Sequence, residues 1–257
     1  MKIYSASLNY FDEIKKAEAG DAKAMIRVAF AILHGNKTEK LQPEEAELAI
    51  RYYKRAAELG DKSAMLDLGG CYMSGRGVER DAKEAARWYE RGWDPDDPAA
   101  CYCLGWLNRY DYLNDGEEVP TSDAERITKA VQYFKRGAEL LNPDCLYELG
   151  ELYLTGTGVP EEEEKAFCLF MKAYEERDGD VLSDSALRIY LRLAECLHHG
   201  IGTEVDLEEA LHFIQLFRKE NRRRVSIGET EAEHVIEEAE QEWIAINREL
   251  DAVSGEG

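Results

Sequence analysis

The sequence predicts an all-α chain of about five antiparallel helix pairs, on three observations. A motif returns along its 257 residues, the apolar positions inside each copy are spaced by four, and glycine turns separate the two halves of a copy. Ala64, Leu68, Gly69, Tyr72, Gly75, Gly77 and Val78 are matched by Cys145, Leu149, Gly150, Tyr153, Gly156, Gly158 and Val159. Ala100 to Gly105 repeats the start of the pattern, Leu193 to Gly202 its middle and end, and Ala24 to Gly35 is a degenerate first copy. Equivalent starting positions at 24, 64, 100, 145 and 189 give steps of 40, 36, 45 and 44 residues, the length of two helices and their turns.

The elements follow in order. In the first helix of a unit, Ala64, Leu68 and Tyr72 share one face, and Gly69 beside Leu68 allows a neighbouring helix to come close. The Gly-x-Gly that follows ends the helix with a left-handed residue and lets the chain reverse. A second amphipathic helix comes next, over 81–92 with Ala85, Trp88 and Tyr89, over 161–174 with Ala166 and Phe170, and over 206–218 with Ala210 and Phe213. Asp81 with Glu84, Ser122 with Glu125, and Asp206 with Glu209 have capping-box spacing, and Asp97-Pro98 and Asn142-Pro143 read as a cap followed by proline in the first turn. The third unit lacks the Gly-x-Gly turn and carries an aromatic and acidic insertion over 108–120, which either extends the helix or forms a loop.

The spacing and turn pattern, with a Lys-Ala or Glu-Ala second helix bearing an aromatic pair, resembles the Sel1-like repeat family, most clearly over 64–92 and 145–174. The resemblance implies a right-handed superhelical solenoid related to tetratricopeptide repeats. Its five repeats are expected at about 21–60, 61–97, 98–142, 143–182 and 183–218. Residues 1–20 are expected to form an N-terminal half-repeat cap. A capping helix is expected at 229–250, with Val235, Ile236, Ala239, Trp243, Ile246 and Leu250 along one stripe. The family implies an adaptor for other proteins rather than an enzyme.

Composition narrows the function classes. With 32 Lys+Arg against 53 Asp+Glu the formal charge is −21, which opposes binding to nucleic acid and to anionic membranes. The N-terminal residues lack the apolar stretch of a secretory signal, and the six cysteines read as free thiols, so a cytoplasmic protein is expected. The second-helix positions that carry paired cysteines in secreted relatives hold Ala57, Trp93, Ala138 and Tyr174, so no disulfide ladder is expected.

No catalytic, cofactor or metal constellation is legible. His34 and His199 read as exposed turn residues, and Glu195 with His198 as a polar stripe without the partner motif that a di-iron bundle requires. The Gly-x-Gly turns lack the strand and the further residues of a phosphate loop, and the acidic run 161–164 reads as a solvated helix start. Arg222, Arg223 and Arg224 read as charge at a helix C-terminus.

The resemblance also implies a partner groove lined by the first helices, at positions six and three before the register glycine and one and four after it. These are Lys23, Ile26, Phe30 and Leu33; Ser63, Leu66, Gly70 and Met73; Ala99, Tyr102, Trp106 and Arg109; Asp144, Tyr147, Glu151 and Leu154; and Arg188, Leu191, Glu195 and His198. Phe30, Met73, Tyr102, Trp106, Arg109, Tyr147, Glu151 and Arg188 are the expected protein-binding residues, because aromatics, Met and Arg are enriched in interface cores. The alternative packing buries these rings against the next unit. The expected function is a non-enzymatic scaffold holding a peptide or partner protein in the concave groove, with self-association open. The alternative is an acidic inhibitor or immunity-type protein that neutralises a basic enzyme, its charge steering the encounter.

Overall fold

The computed structural model describes residues 8–34, 41–110, 123–177, 185–226 and 233–254. Among these residues there are twelve helices and no strand. They are α1 Leu8–Glu18, α2 Ala22–His34, α3 Pro43–Glu58, α4 Lys62–Ser74, α5 Ala82–Arg91, α6 Pro98–Arg109, α7 Asp123–Glu139, α8 Pro143–Thr155, α9 Glu163–Glu175, α10 Ala186–His199, α11 Leu207–Ser226 and α12 Glu233–Ser254.

Short polar side chains start several of the helices, because each takes up a backbone N–H that has no partner within the helix. Asp21 accepts from Ala24 N at 2.8 Å, Asp61 from Ala64 N at 3.1 Å, Asp97 from Ala99 N at 2.8 Å and Asn142 from Cys145 N at 2.8 Å. Two of the expected caps form at second helices, where Asp81 accepts from Glu84 N and Asp206 from Glu209 N. Ser122 and residues 111–120 of the insertion lie outside the described residues; α6 stops at Arg109, with Tyr110 as its C-cap.

The chain divides into two compact units, 1–122 and 123–257, so the division falls inside the third repeat, between α6 and α7. In the first unit, consecutive helices from α1 to α6 pack on one another around Met25, Val28, Tyr53 and Leu68. In the second, α7 to α12 do the same around Leu146, Leu152, Phe170, Leu187, Leu193, Phe213 and Phe217, and α12 touches α10 as well as α11.

Glycine fixes two distances in this packing. A Cβ on Gly69 would stand 2.5 Å from the Tyr89 ring, and one on Gly150 would stand 2.5 Å from the Phe170 ring, so the missing methyl lets the second helix close on the first. The second glycine of each turn does more than reverse the chain. At Gly77 (φ 77°) and Gly158 (φ 71°) an added Cβ would press on Leu33 and Ile50, or on Ile127 and Val131, so each turn leans on helices of the preceding repeat.

The six cysteines are free thiols. Cys71, Cys101, Cys145 and Cys196 are buried, Cys103 is half-buried and Cys168 exposed.

Adjacent glycines in α4 give opposite expectations. Gly69→Ala forces a methyl into the Tyr89 ring and is expected to destabilise by about 1–3 kcal/mol. At Gly70 the new Cβ would meet only the Tyr89 hydroxyl, at 3.8 Å. Gly70→Ala is therefore expected to stabilise by about 0.5–1 kcal/mol through the unfolded chain's entropy. Urea unfolding of the two variants, followed by circular dichroism, checks the difference in sign.

Candidate protein-binding surface

In the first unit the expected residues stand at equivalent positions of α2, α4 and α6. Phe30 is 54% exposed and stacks on His34, ring centroids 4.3 Å apart. Met73, Tyr102, Trp106 and Arg109 are half-buried. The Trp106 ring lies 5.2 Å from that of Tyr110, and the Arg109 guanidinium stands 5.0 Å from the Tyr110 centroid. The end of α6 thus carries an indole and a guanidinium that both lie against the Tyr110 phenol. Such a group offers apolar area, a π face and a cation to one incoming side chain at small cost in conformational freedom.

The fourth and fifth repeats use the same positions differently. Tyr147, expected as an exposed anchor, is only 7% exposed and packs its ring 5.7 Å from Phe170. Burial, with Glu151 adding to it, pushes its hydroxyl pKa up. The adjacent helix α9 presents Phe170 beneath it, so the tyrosine is part of the core.

Glu151 is held by Arg192, whose Nε and Nη2 donate to its two carboxylate oxygens at 2.7 and 3.1 Å; Nη1 donates to Glu195 at 2.5 Å. Burial would lower the Arg192 pKa, but Glu151 and Glu195 outweigh it and hold it above the ordinary value. Burial raises the Glu195 carboxyl against the pull of Arg192, with Glu242, Glu151 and Glu238 adding to the rise. Ser185 Oγ donates to Asp144 across α10 and α8. Arg188 is exposed.

His199 is exposed, as its sequence reading expects, and is the last residue of α10. His198, read as part of a polar stripe, is only 5% exposed, with the His199 ring stacked on it at 4.2 Å. His198 Nδ1 lies 2.7 Å from Glu242 Oε1 on α12, and His199 Nε2 lies 3.8 Å from the same oxygen. Nothing in the spacing within α10 points to Glu242, since the pairing depends on where a helix 44 residues on comes to rest.

The basic end of α11 is also engaged. Arg218 Nε stands 3.1 Å from Glu240 Oε1, with its guanidinium 4.7 Å from the Trp243 centroid, and Arg224 is buried beside Glu220.

The Sel1 repeat model matches residues 22–61, 62–92, 98–140, 143–178 and 190–217. The chain belongs to the Sel1 repeat family. The ERAD-associated E3 ubiquitin-protein ligase component HRD3B of Arabidopsis thaliana is 35% identical over 120 residues, which are 46% of this chain and 17% of that protein. Among solved structures, c5321, a protective antigen of uropathogenic Escherichia coli with a Sel1-like repeat fold, aligns at a TM-score of 0.63 and 24% identity over 92% of this chain and 48% of its own. A Sel1 repeat protein from Oxalobacter formigenes aligns at a TM-score of 0.61 and 21% identity over 82% of this chain and 84% of its own. The chain therefore spans about half of the Escherichia coli protein and a small part of the plant one, and the two structural likenesses establish the α-solenoid fold alone. Sel1 repeat proteins are in general protein-interaction scaffolds. Among the described residues no helix is long and apolar enough to cross a membrane.

The Glu151–Arg192–Glu195 group gives a stability expectation. Arg192→Met leaves two shielded carboxylates without their counter-charge and is expected to cost on the order of 2 kcal/mol. Glu151→Met combined with Arg192→Met is expected to cost less than the two single losses added together. A double-mutant cycle by urea unfolding measures the coupling.

Proposed function

We propose that this Sel1 repeat protein is a non-enzymatic scaffold that holds a peptide or partner protein on the first-helix face of its first unit. Phe30, Met73, Tyr102, Trp106 and Arg109 line the contact. The observation that carries the reading is the contrast between the two units: α2, α4 and α6 present partly exposed aromatic, thioether and guanidinium groups where α8 and α10 hold a buried tyrosine and an ion-pair network. Partly exposed aromatic and thioether groups gain from covering by a partner, whereas a partner on α8 and α10 would have to break the ion pairs of Arg192. Family membership and the general role of such repeats support the same reading. Tyr147, Glu151 and Arg188 drop out of the proposed contact.

A peptide library displayed on phage and selected against the full chain supplies a defined ligand for the test. Trp106→Ala is expected to weaken a selected peptide by about 2 kcal/mol or more, some thirtyfold in Kd, and Phe30→Ala by a smaller factor. Arg188→Ala is expected to leave Kd unchanged. If the selected peptides are basic, lose affinity steeply with salt and ignore Trp106→Ala and Phe30→Ala, the scaffold reading of this face is overturned in favour of acidic-surface recognition.

A further inference from the structure

Two imidazoles and a carboxylate meet where α12 lies on α10. One donor atom from each of His198, His199 and Glu242 falls within 4.8 Å of the others. The Glu242 oxygen is 2.7 Å from His198 Nδ1 and 3.8 Å from His199 Nε2. A tetrahedral ion with bonds of about 2.0–2.1 Å needs donors about 3.3 Å apart, a value that these two spacings straddle.

The buried ring of His198 supplies a second, independent observation. Its Nε2 makes no hydrogen bond, although Glu249 Oε1 stands 3.2 Å away and the side chain is only 3% exposed. When Nδ1 carries the sole proton and donates to Glu242, the Nε2 lone pair faces a carboxylate, an arrangement that leaves a buried acceptor unsatisfied. A metal bound at Nδ1 reverses the tautomer: the proton then sits on Nε2, on the side of the ring where the Glu249 carboxylate stands. Glu195 and Glu238 add negative potential around the group, and Arg192 offsets part of it.

We infer that His198, His199 and Glu242 form a binding site for a divalent transition-metal ion of borderline softness, Zn²⁺ foremost. Two nitrogens and one oxygen are a donor set that such ions take, and the fourth position is left for water. The ion ties the last helix to the last repeat and does not depend on what the first unit binds.

The test is calorimetric titration of Zn²⁺ into the untagged full chain after treatment with a chelator, together with the visible spectrum of the Co²⁺ form. One ion per chain is expected, with Co²⁺ bands of a nitrogen and oxygen environment and no thiolate charge-transfer band. His199→Ala and Glu242→Gln are expected to weaken binding at least about tenfold. His199 is exposed and Gln keeps the shape of Glu, so these variants retain the fold. Cys168→Ser, which removes the exposed thiol, should change nothing. The inference is overturned if no saturable binding occurs. It is equally overturned if binding survives both His199→Ala and Glu242→Gln, or disappears in Cys168→Ser.

Discussion

The architecture depends on the closeness that a missing methyl group permits between the two helices of a repeat. Tyr89 lies over Gly69 and Phe170 over Gly150 at distances that no Cβ would tolerate. The ring then fills the space between the helices, and the flanking Leu68 and Leu149 complete a dry contact. In the first and fifth repeats the register position holds Ala29 and Ala194, both fully buried, the next smallest choice. Because this contact uses one face of the first helix, positions one and four residues after the glycine are free to differ between repeats.

That freedom is used in two ways. At the position after the register residue, the first three repeats carry Phe30, Gly70 and Trp106, and the last two carry Glu151 and Glu195. An aromatic ring at this place gains little until something covers it. A carboxylate can be satisfied internally, and Arg192 does this for both Glu151 and Glu195. With desolvated charges matched to one another, this part of the face is closed to a partner unless the partner replaces the same interactions.

The periodicity, the glycine contacts and the polar caps were legible in the sequence because each is a local rule repeated in register. Asp81, Asp97, Asn142 and Asp206 cap helices as their spacing implies. Exposure was legible only in part. Tyr102 and Tyr147 occupy the same register position, yet the first is half-buried and the second lies in the core against Phe170, a difference set by the neighbouring helix rather than by the motif. The grouping of His198, His199 and Glu242 was not legible at all: it joins α10 to α12, and no spacing rule spans the connection between them.

The charge of −21 takes on a different meaning once its distribution is considered. Part of the acidity of α12 is locally engaged, since Glu240 faces the Arg218 guanidinium and Glu242 lies against the imidazole nitrogens of His198 and His199. Trp243 accepts the Arg218 guanidinium on its ring, adding apolar area to the same contact. These acidic residues therefore help to seat α12 on the repeats, and a basic partner that sought them would have to displace Arg218 or the histidines first. Long-range steering by net charge is unaffected by such local matching, but short-range recognition is not. Acidity can draw a cationic molecule toward this chain without providing the surface on which it docks.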